Sequence, residues 1–125
     1  MTVRHDYMSL GITAGLVTSV SFLILGCSVT VPVAVIGQHG EIMRGTNTAS
    51  LASATFTVTD GKVTCSGSYN PLNESQTITT TVTCTDDRTG IVTAVRDSPT
   101  SGGGTVTLSD GTSARFIFGE AARRI

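Results

Sequence analysis

Histidine and paired carboxylates are the residues of this sequence whose chemistry could serve catalysis. Nucleophilic catalysis needs a nucleophile, a base and an orienting group, and beyond residue 26 the sequence has one histidine, His39, in the glycine-flanked segment 37–40. Asp86-Asp87 could act as paired carboxylates, but adjacent residues of a strand point to different sides and aspartate is an ordinary turn former. The sequence therefore predicts a protein that is not an enzyme, with a His39-based enzyme as the alternative.

Metal and phosphate sites need larger constellations of side chains than this chain offers. Calcium binding would require several predicted hairpin tips to converge, although each aspartate at a tip is already explained by its turn. These aspartates are Asp60, Asp86, Asp87 and Asp110. The run Gly102-Gly103-Gly104 lacks the Lys-Ser/Thr that follows in a phosphate-binding loop. We therefore expect no cofactor and no metal.

The composition limits the chain to one small domain and argues against a nucleic-acid binder. The chain has 125 residues, of which 39% are hydrophobic and 14% are charged, with 8 Lys+Arg against 9 Asp+Glu and no Trp. A nucleic-acid-binding domain normally carries a basic face, which these scattered charges do not form. A hydrophobic core is expected, but a thin one.

The N-terminal part of the chain is apolar and almost free of charge. No Asp, Glu, Lys, Arg or His occurs from Tyr7 to Gln38, and the apolar run Leu10–Gly26 follows Arg4 and His5. A short basic region, an apolar stretch and small residues near a boundary form the pattern of a secretory signal. The motif at the end of this stretch, Ile24-Leu25-Gly26-Cys27, resembles the lipobox of bacterial lipoproteins.

This resemblance implies that the chain is a bacterial lipoprotein precursor. Diacylglycerol would be attached to the thiol of Cys27, and cleavage before it would divide the chain into a signal peptide, 1–26, and one domain, 27–125. Ser28, which follows the lipid site, implies the outer membrane, with the domain facing the periplasm or the cell exterior. An uncleaved transmembrane anchor is an alternative, since about 20 apolar residues span a bilayer, and ordinary cleaved secretion is another.

The number of cysteines agrees with an oxidising compartment. If Cys27 is lipidated, Cys65 and Cys84 remain as a pair, and exported proteins retain disulfides. A structural zinc site normally needs four ligands, which two thiols and His39 do not supply. We therefore predict a disulfide between Cys65 and Cys84, which closes a loop of about 20 residues and stabilises the domain by roughly 3 kcal/mol.

Three segments of alternating residues repeat along the second half of the chain. TFTVTDG begins at Thr55, TVTCTDD at Thr81 and TVTLSDG at Thr105. A period of two followed by Asp-Gly predicts a β-hairpin, and we expect type I′ turns with positive φ at both central residues at Asp60-Gly61 and Asp110-Gly111. Repetition at this spacing predicts a series of consecutive hairpins.

The same alternation assigns two faces to the predicted sheet. The buried face is mainly apolar and includes both paired cysteines: Phe56, Val58, Val63, Cys65, Gly67, Tyr69, Ile78, Thr80, Val82, Cys84, Val106, Leu108, Ala114, Phe116 and Phe118. The opposite face carries threonines: Thr55, Thr57, Thr59, Thr77, Thr79, Thr81, Thr83, Thr105 and Thr107. This pattern is typical of an antiparallel sheet with one face in water.

These patterns predict an all-β domain of about seven or eight short strands, preceded by an apolar signal helix. The strands would form a small antiparallel sandwich, a curled sheet or a partly open barrel. Val29–Ile36 and Glu41–Thr46 are expected to form a hairpin around residues 37–40. Ser98–Gly104 is expected to be a flexible loop, and Glu120–Ile125 a frayed end or one helical turn.

Two further resemblances concern the domain after residue 26 and imply no activity. The segment from Gly102 to Gly119 is loosely similar to MORN-type hairpin repeats, and GEIMRGT from Gly40 and CSGSY from Cys65 are similar to segments of small proteobacterial envelope lipoproteins. The lipobox-like motif, the even pair of remaining cysteines and the lack of a catalytic constellation in the sequence together predict a lipid-anchored envelope protein with a structural or adaptor role. Its partners would be the membrane, through the anchor, and an envelope protein, through a sheet edge or exposed loops.

A binding module of the envelope is the alternative function. Its ligand, a small molecule or a carbohydrate, would occupy a pocket between the apolar face and the loops 37–40 and 98–104. Four aromatic side chains are expected to line this pocket: Phe56, Tyr69, Phe116 and Phe118.

Overall fold

The computed structural model describes residues 27–125, which form eight strands and one short 3₁₀ helix. The strands are β1 Ser28–Gly37, β2 Ile42–Ser50, β3 Ala54–Thr59, β4 Thr64–Tyr69, β5 Thr77–Cys84, β6 Thr89–Ser98, β7 Ser101–Leu108 and β8 Ser113–Phe118, and the C-terminal 3₁₀ helix is Glu120–Arg124. The predicted signal helix falls outside the described residues.

The eight strands close into one antiparallel barrel. Each strand pairs with the next along the chain, and β8 returns to pair with β1, for example Val35 with Phe116. The predicted all-β class and strand number are confirmed, and among the arrangements considered the strands adopt a barrel, fully closed. Closure leaves no unpaired edge among the described strands, so a partner would have to bind through the turns or the outer wall and not by adding a strand.

The barrel wall is divided as the alternation predicts. The disulfide cysteines and the apolar residues of the predicted buried face point to the interior, where Val58 and Val82 are among the most buried side chains. All nine threonines assigned to the wet face are exposed. The three repeated segments lie in β3, β5 and β7, so each repeat corresponds to one hairpin and its strand runs in the same direction.

The two ends of the barrel differ in chemistry. We call the end formed by turns 38–41, 60–63, 85–88 and 109–112 the acidic end, because these turns contain five carboxylates and two cationic side chains. The opposite end is formed by turns 51–53, 70–76 and 99–100, and we call it the leucine end, after Leu51 and Leu72.

The segment Ser98–Gly104, expected to be a flexible loop, is mostly strand. Only residues 99 and 100 form the turn, and β7 begins at Ser101. Gly104 pairs with Ala94 on one side and Phe116 on the other, and a Cβ at Gly104 would meet the carbonyl oxygen of Thr93. The glycines therefore allow a close approach of neighbouring strands in a curved wall, and the loop prediction was wrong.

The hairpins form where they are predicted, but with other turns. Asp60 and Asp110 do not have positive φ, so neither turn is type I′. At 60–63 the φ of Gly61 is positive while that of Lys62 is not, as in a type II′ turn. In the turn before β8, Leu108 and Thr112 close a three-residue loop whose last residue, Gly111, is left-handed.

The C-terminal residues form a helical turn, one of the two predicted outcomes. The 3₁₀ helix contacts β1 on the outside of the barrel, where Ala34 and Ala122 are both almost fully buried. Gly119 donates a main-chain hydrogen bond to the carbonyl of Pro32, and Arg44 contacts the carbonyl oxygen of Ile125. No helix within residues 27–125 has the length and apolar character needed to cross a membrane.

Candidate ligand-binding cavity

The barrel encloses a cavity of about 160 Å³. Four aromatic side chains line it, and they are the four that the sequence predicts for a ligand pocket: Phe56, Tyr69, Phe116 and Phe118. The cavity runs between the two ends of the barrel and is not a cleft between a sheet face and two loops. The loops 37–40 and 98–104 lie at opposite ends, and of these residues only Pro99 lines the cavity.

Small residues on three adjacent strands leave this space unfilled. The interior of an eight-stranded barrel is just wide enough for ordinary side chains to fill. Here Ala94 of β6 and Ala114 of β8 line the cavity, Gly104 of β7 pairs with the inward-facing Ala94 and Phe116 and has no side chain to fill it, and the chain has no tryptophan. The two facing phenylalanines, Phe116 and Phe118, have ring centroids 6.4 Å apart and fill only part of the interior.

The polar side chains on the cavity wall already have partners. Asn47 Nδ2 donates to the Tyr69 hydroxyl at 2.7 Å, and that hydroxyl lies 3.0 Å from Asn47 Oδ1. Thr80 donates to the carbonyl oxygen of Ser68 at 2.6 Å. Within residues 27–125, no buried side-chain nitrogen or oxygen lacks a hydrogen-bond partner. The wall therefore presents an apolar surface to an occupant.

An arginine lies at each end of the cavity and is held by the turns there. At the acidic end, Arg88 donates to Asp86 at 2.8 Å and to Asp110 at 3.4 Å. Burial lowers the pKa of Arg88, but the hydrogen bond and charge of Asp86, followed by those of Asp110, outweigh it and raise that pKa. At the leucine end, Arg96 donates to the carbonyls of Asn73, at 2.7 Å, and of Ser75. Both guanidinium groups line the ends of the cavity and bond to the turns there.

The predicted disulfide is present, and it lines the cavity. Cys65 and Cys84 face each other across β4 and β5, with Cα atoms 4.0 Å apart. The β4–β5 ladder has only two residue pairs, whereas every other ladder has at least five. The covalent bond therefore joins the two strands that share the fewest main-chain pairs.

The other candidate residues from the sequence do not join the cavity. His39 is exposed in its turn, and its main-chain N–H donates to Glu41 at 3.1 Å. Asp86 and Asp110 both bond to Arg88, and in the described part of the chain no three His, Cys, Asp or Glu side chains cluster as a metal site would need. Cys27 is exposed and outside the disulfide.

Sequence reasoning assigned Tyr69 and Thr80 to the inner face but missed two other polar residues of the cavity wall, Asn47 and Arg96. Asn47 and Arg96 lie in strands whose alternation places them inside, but a polar residue in such a pattern is normally assigned to the wet face. The pairing of β2 with β3 shows the inward positions: Gly45 pairs with Val58 and Asn47 with Phe56, whose side chains face the interior. Since alternate residues share a face, Asn47 follows from Gly45.

The fold and its interior define an eight-stranded, up-and-down antiparallel barrel with an apolar cavity. It is similar to a de novo designed fluorescence-activating beta barrel, with 21% identity, a TM-score of 0.55, and coverage of 71% of this chain and 88% of that chain. It is also similar to a redesigned beta barrel, with 16% identity, a TM-score of 0.54, and coverage of 73% and 88%. No protein-family model and no curated protein matches the chain. At these identities the likeness establishes the fold alone.

Proposed function

We propose that the barrel binds a compact, mostly apolar small molecule in its interior. The observation that carries this proposal is a cavity of about 160 Å³ in the barrel interior with an aromatic and aliphatic wall. A dry cavity of about 150 Å³ lined by Leu, Ile and Phe binds benzene, whereas drug-sized ligands occupy roughly 300–1,000 Å³. The expected ligand is therefore about the size of one substituted ring.

The polar groups of the wall favour an apolar ligand over a carbohydrate. A sugar would need several hydrogen-bond partners to replace its lost water. Asn47, Tyr69 and Thr80 are already bonded to protein groups, so a sugar hydroxyl would have to break an existing bond. A single hydroxyl on the ligand would be accommodated beside the Asn47–Tyr69 pair.

Titration with three probes tests this proposal. Toluene and 4-ethylphenol are expected to shift the NMR methyl signals of Val33, Ile78 and Val82, which line the cavity, while those of the outward-facing Val95 stay unchanged. Glucose is expected to shift none of them. Shifts with glucose alone would favour the carbohydrate alternative, and no shift with any probe would show that the space is an empty void.

We also propose that the domain is tethered to the cell envelope through Cys27. Support comes from the lipobox-like motif at 24–27 and from the exposed thiol of Cys27 at the start of β1. A lipid there would lie outside the barrel and leave the cavity free. In this proposal the domain is carried by the outer membrane and faces the periplasm or the exterior, with a structural or adaptor role beside ligand binding.

Mass spectrometry of the protein extracted from bacterial membranes tests the tether. A mature N-terminus at Cys27 carrying diacylglycerol is the expected result, and Cys27→Ser is expected to abolish the modification. An intact N-terminus at Met1 or Met8 would contradict this proposal and leave ligand binding untouched.

A further inference from the structure

We infer that the leucine end of the barrel docks on the surface of a phospholipid membrane. This inference rests on the proposed tether at Cys27, which would hold the domain at a membrane. The orientation is argued from the exposed leucines, the charges of the two ends and the position of Cys27. The partner that it names is a bilayer surface, into which Leu51 and Leu72 insert.

The two leucines are among the most exposed large apolar side chains of the domain. Leu51, in the turn between β2 and β3, is 80% exposed, and Leu72, between β4 and β5, is 64% exposed. Both turns lie at the same end because the strands that they connect alternate in direction. A single exposed leucine is ordinary, whereas here two turns at one end of the barrel each expose a large apolar side chain to water.

The charges of the barrel favour the same orientation. Turns 51–53, 70–76 and 99–100 contain one carboxylate, Glu74, and no Lys or Arg. Arg96 and Asp97, at the end of β6 beside turn 99–100, add one charge of each sign, and Arg96 is bonded to turn carbonyls. The acidic end carries five carboxylates against two cationic side chains, and an anionic bilayer surface would repel it. The leucine end has fewer carboxylates than the acidic end, and an anionic bilayer surface therefore repels it less.

The start of β1 lies at the same end of the barrel and next to Leu51. Ser28 pairs with Ser50, so Cys27 and Leu51 each lie one residue beyond the last pair of this ladder. The 26 residues before Cys27 include the apolar run Leu10–Gly26. A chain held in the membrane by that run or by a lipid on Cys27 would bring the leucine end to the surface, where short apolar side chains enter the boundary between headgroups and acyl chains.

Single-tryptophan reporters on the full chain test this orientation, since the chain has no native tryptophan. The Cys27 thiol is coupled to a maleimide lipid in vesicles of phosphatidylethanolamine and phosphatidylglycerol with brominated acyl chains. This coupling holds the protein at the vesicle whether or not cells lipidate Cys27, so failure of the tether proposal is measured separately by mass spectrometry. Reporters are Leu51→Trp and Leu72→Trp, and the matched control is Ile42→Trp, an exposed apolar position at the acidic end.

The expected result is a shift of tryptophan emission to shorter wavelength and strong bromine quenching for Leu51→Trp and Leu72→Trp, with neither change for Ile42→Trp. Since all three variants carry the same side chain, a difference between them reports orientation and not the affinity of tryptophan for lipid. Equal quenching at both ends, or none at the leucine end, overturns the inference. The reporters are also measured without vesicles. If the tryptophan of Leu51→Trp or Leu72→Trp is then shielded from water and the protein sediments as a dimer, a second copy covers this end and the inference is overturned.

Discussion

At the scale of single residues, three turns at the acidic end share one geometry. In each turn of five residues, the main-chain N–H of the first residue donates to the carbonyl of the fifth. The fourth residue of each turn has positive φ. Gly40 and Gly111 occupy that left-handed position in two turns, and Asp87 occupies it in the third, with φ of 69°. The left-handed conformation costs an L-residue roughly 1–2 kcal/mol, less for aspartate.

Replacing Asp87 with glycine is therefore expected to stabilise the domain. Asp87→Gly should raise the free energy of unfolding by about 0.5–1 kcal/mol, because the strain removed exceeds the added entropy of the unfolded chain. The matched control, Gly111→Ala at the equivalent position, should lower it by about 1 kcal/mol. Urea unfolding at neutral pH measures both, and a destabilised Asp87→Gly variant would contradict the shared geometry.

Asp60 makes one turn sensitive to acid. Main-chain N–H groups of Val63 and Lys62 each donate to its carboxylate at 2.8 Å and hold the pKa of Asp60 below its ordinary value of 3.8. Because the folded pKa is the lower one, this carboxylate contributes stability above the unfolded pKa and loses it as pH falls through the folded pKa.

The variant Asp60→Asn should weaken this dependence. Asparagine keeps an acceptor oxygen but does not titrate, so the free energy of unfolding should fall less steeply than in the parent between about pH 5 and pH 2. Denaturant titrations across that range measure the slope. Asp97→Asn removes another exposed carboxylate and should follow the parent; identical slopes for all three proteins would show that Asp60 has no such role.

At the scale of elements, the disulfide compensates for the shortest ladder of the barrel. We call the junction of β4 and β5 the seam. The Thr80 hydroxyl donates to the Ser68 carbonyl across it, so part of the contact between these strands is made by a side chain. Beyond the two pairs Cys65–Cys84 and Ser66–Thr83, one more main-chain hydrogen bond, from Thr85 to the carbonyl of Thr64 at 2.9 Å, continues the register. The seam is thus the place where the barrel wall depends most on a single bond.

The double variant Cys65→Ala/Cys84→Ala should open this seam first. It is expected to lose about 3 kcal/mol of stability, from the loop-closure entropy of the unfolded chain. Hydrogen exchange should accelerate at Ser66 and Thr83 more than in the nine-pair β1–β2 ladder. Cys27→Ser, which leaves the disulfide intact, is the control. A uniform acceleration across all strands would show that the seam is no weaker than the rest.

Much of the element scale follows from the sequence. Alternation of residues such as Phe56 and Val58 assigns the inner face correctly, and Asp-Gly and Asn-Pro signals place the turns. Closure does not follow, because pairing of β1 with β8 depends on how far the wall curves, which the strand pattern does not encode. The glycines of β7 show the same limit: consecutive glycines are typical of loops, yet here they allow strands to approach closely.

At the scale of the whole molecule, the cavity and the two ends form one arrangement. Arg88, held by two aspartates, lines the cavity at the acidic end, and Arg96 bonds to turn 70–76 at the other. That turn carries Leu72, so the end proposed to meet the membrane is also an end of the binding cavity. Apolar ligands partition into membranes, and this orientation would place the cavity close to them.

Filling the cavity should abolish ligand binding without unfolding the barrel. Ala94→Leu adds three carbons to the inner wall opposite Gly104, where the existing void limits the overpacking cost to about 1–3 kcal/mol or less. With 4-ethylphenol at 100 times its dissociation constant, the parent should gain about 2.7 kcal/mol of stability, and Ala94→Leu should gain none. Val95→Leu, on the neighbouring outward-facing residue, should respond like the parent. Equal stabilisation of all three in denaturant titrations would show that the ligand binds outside the cavity.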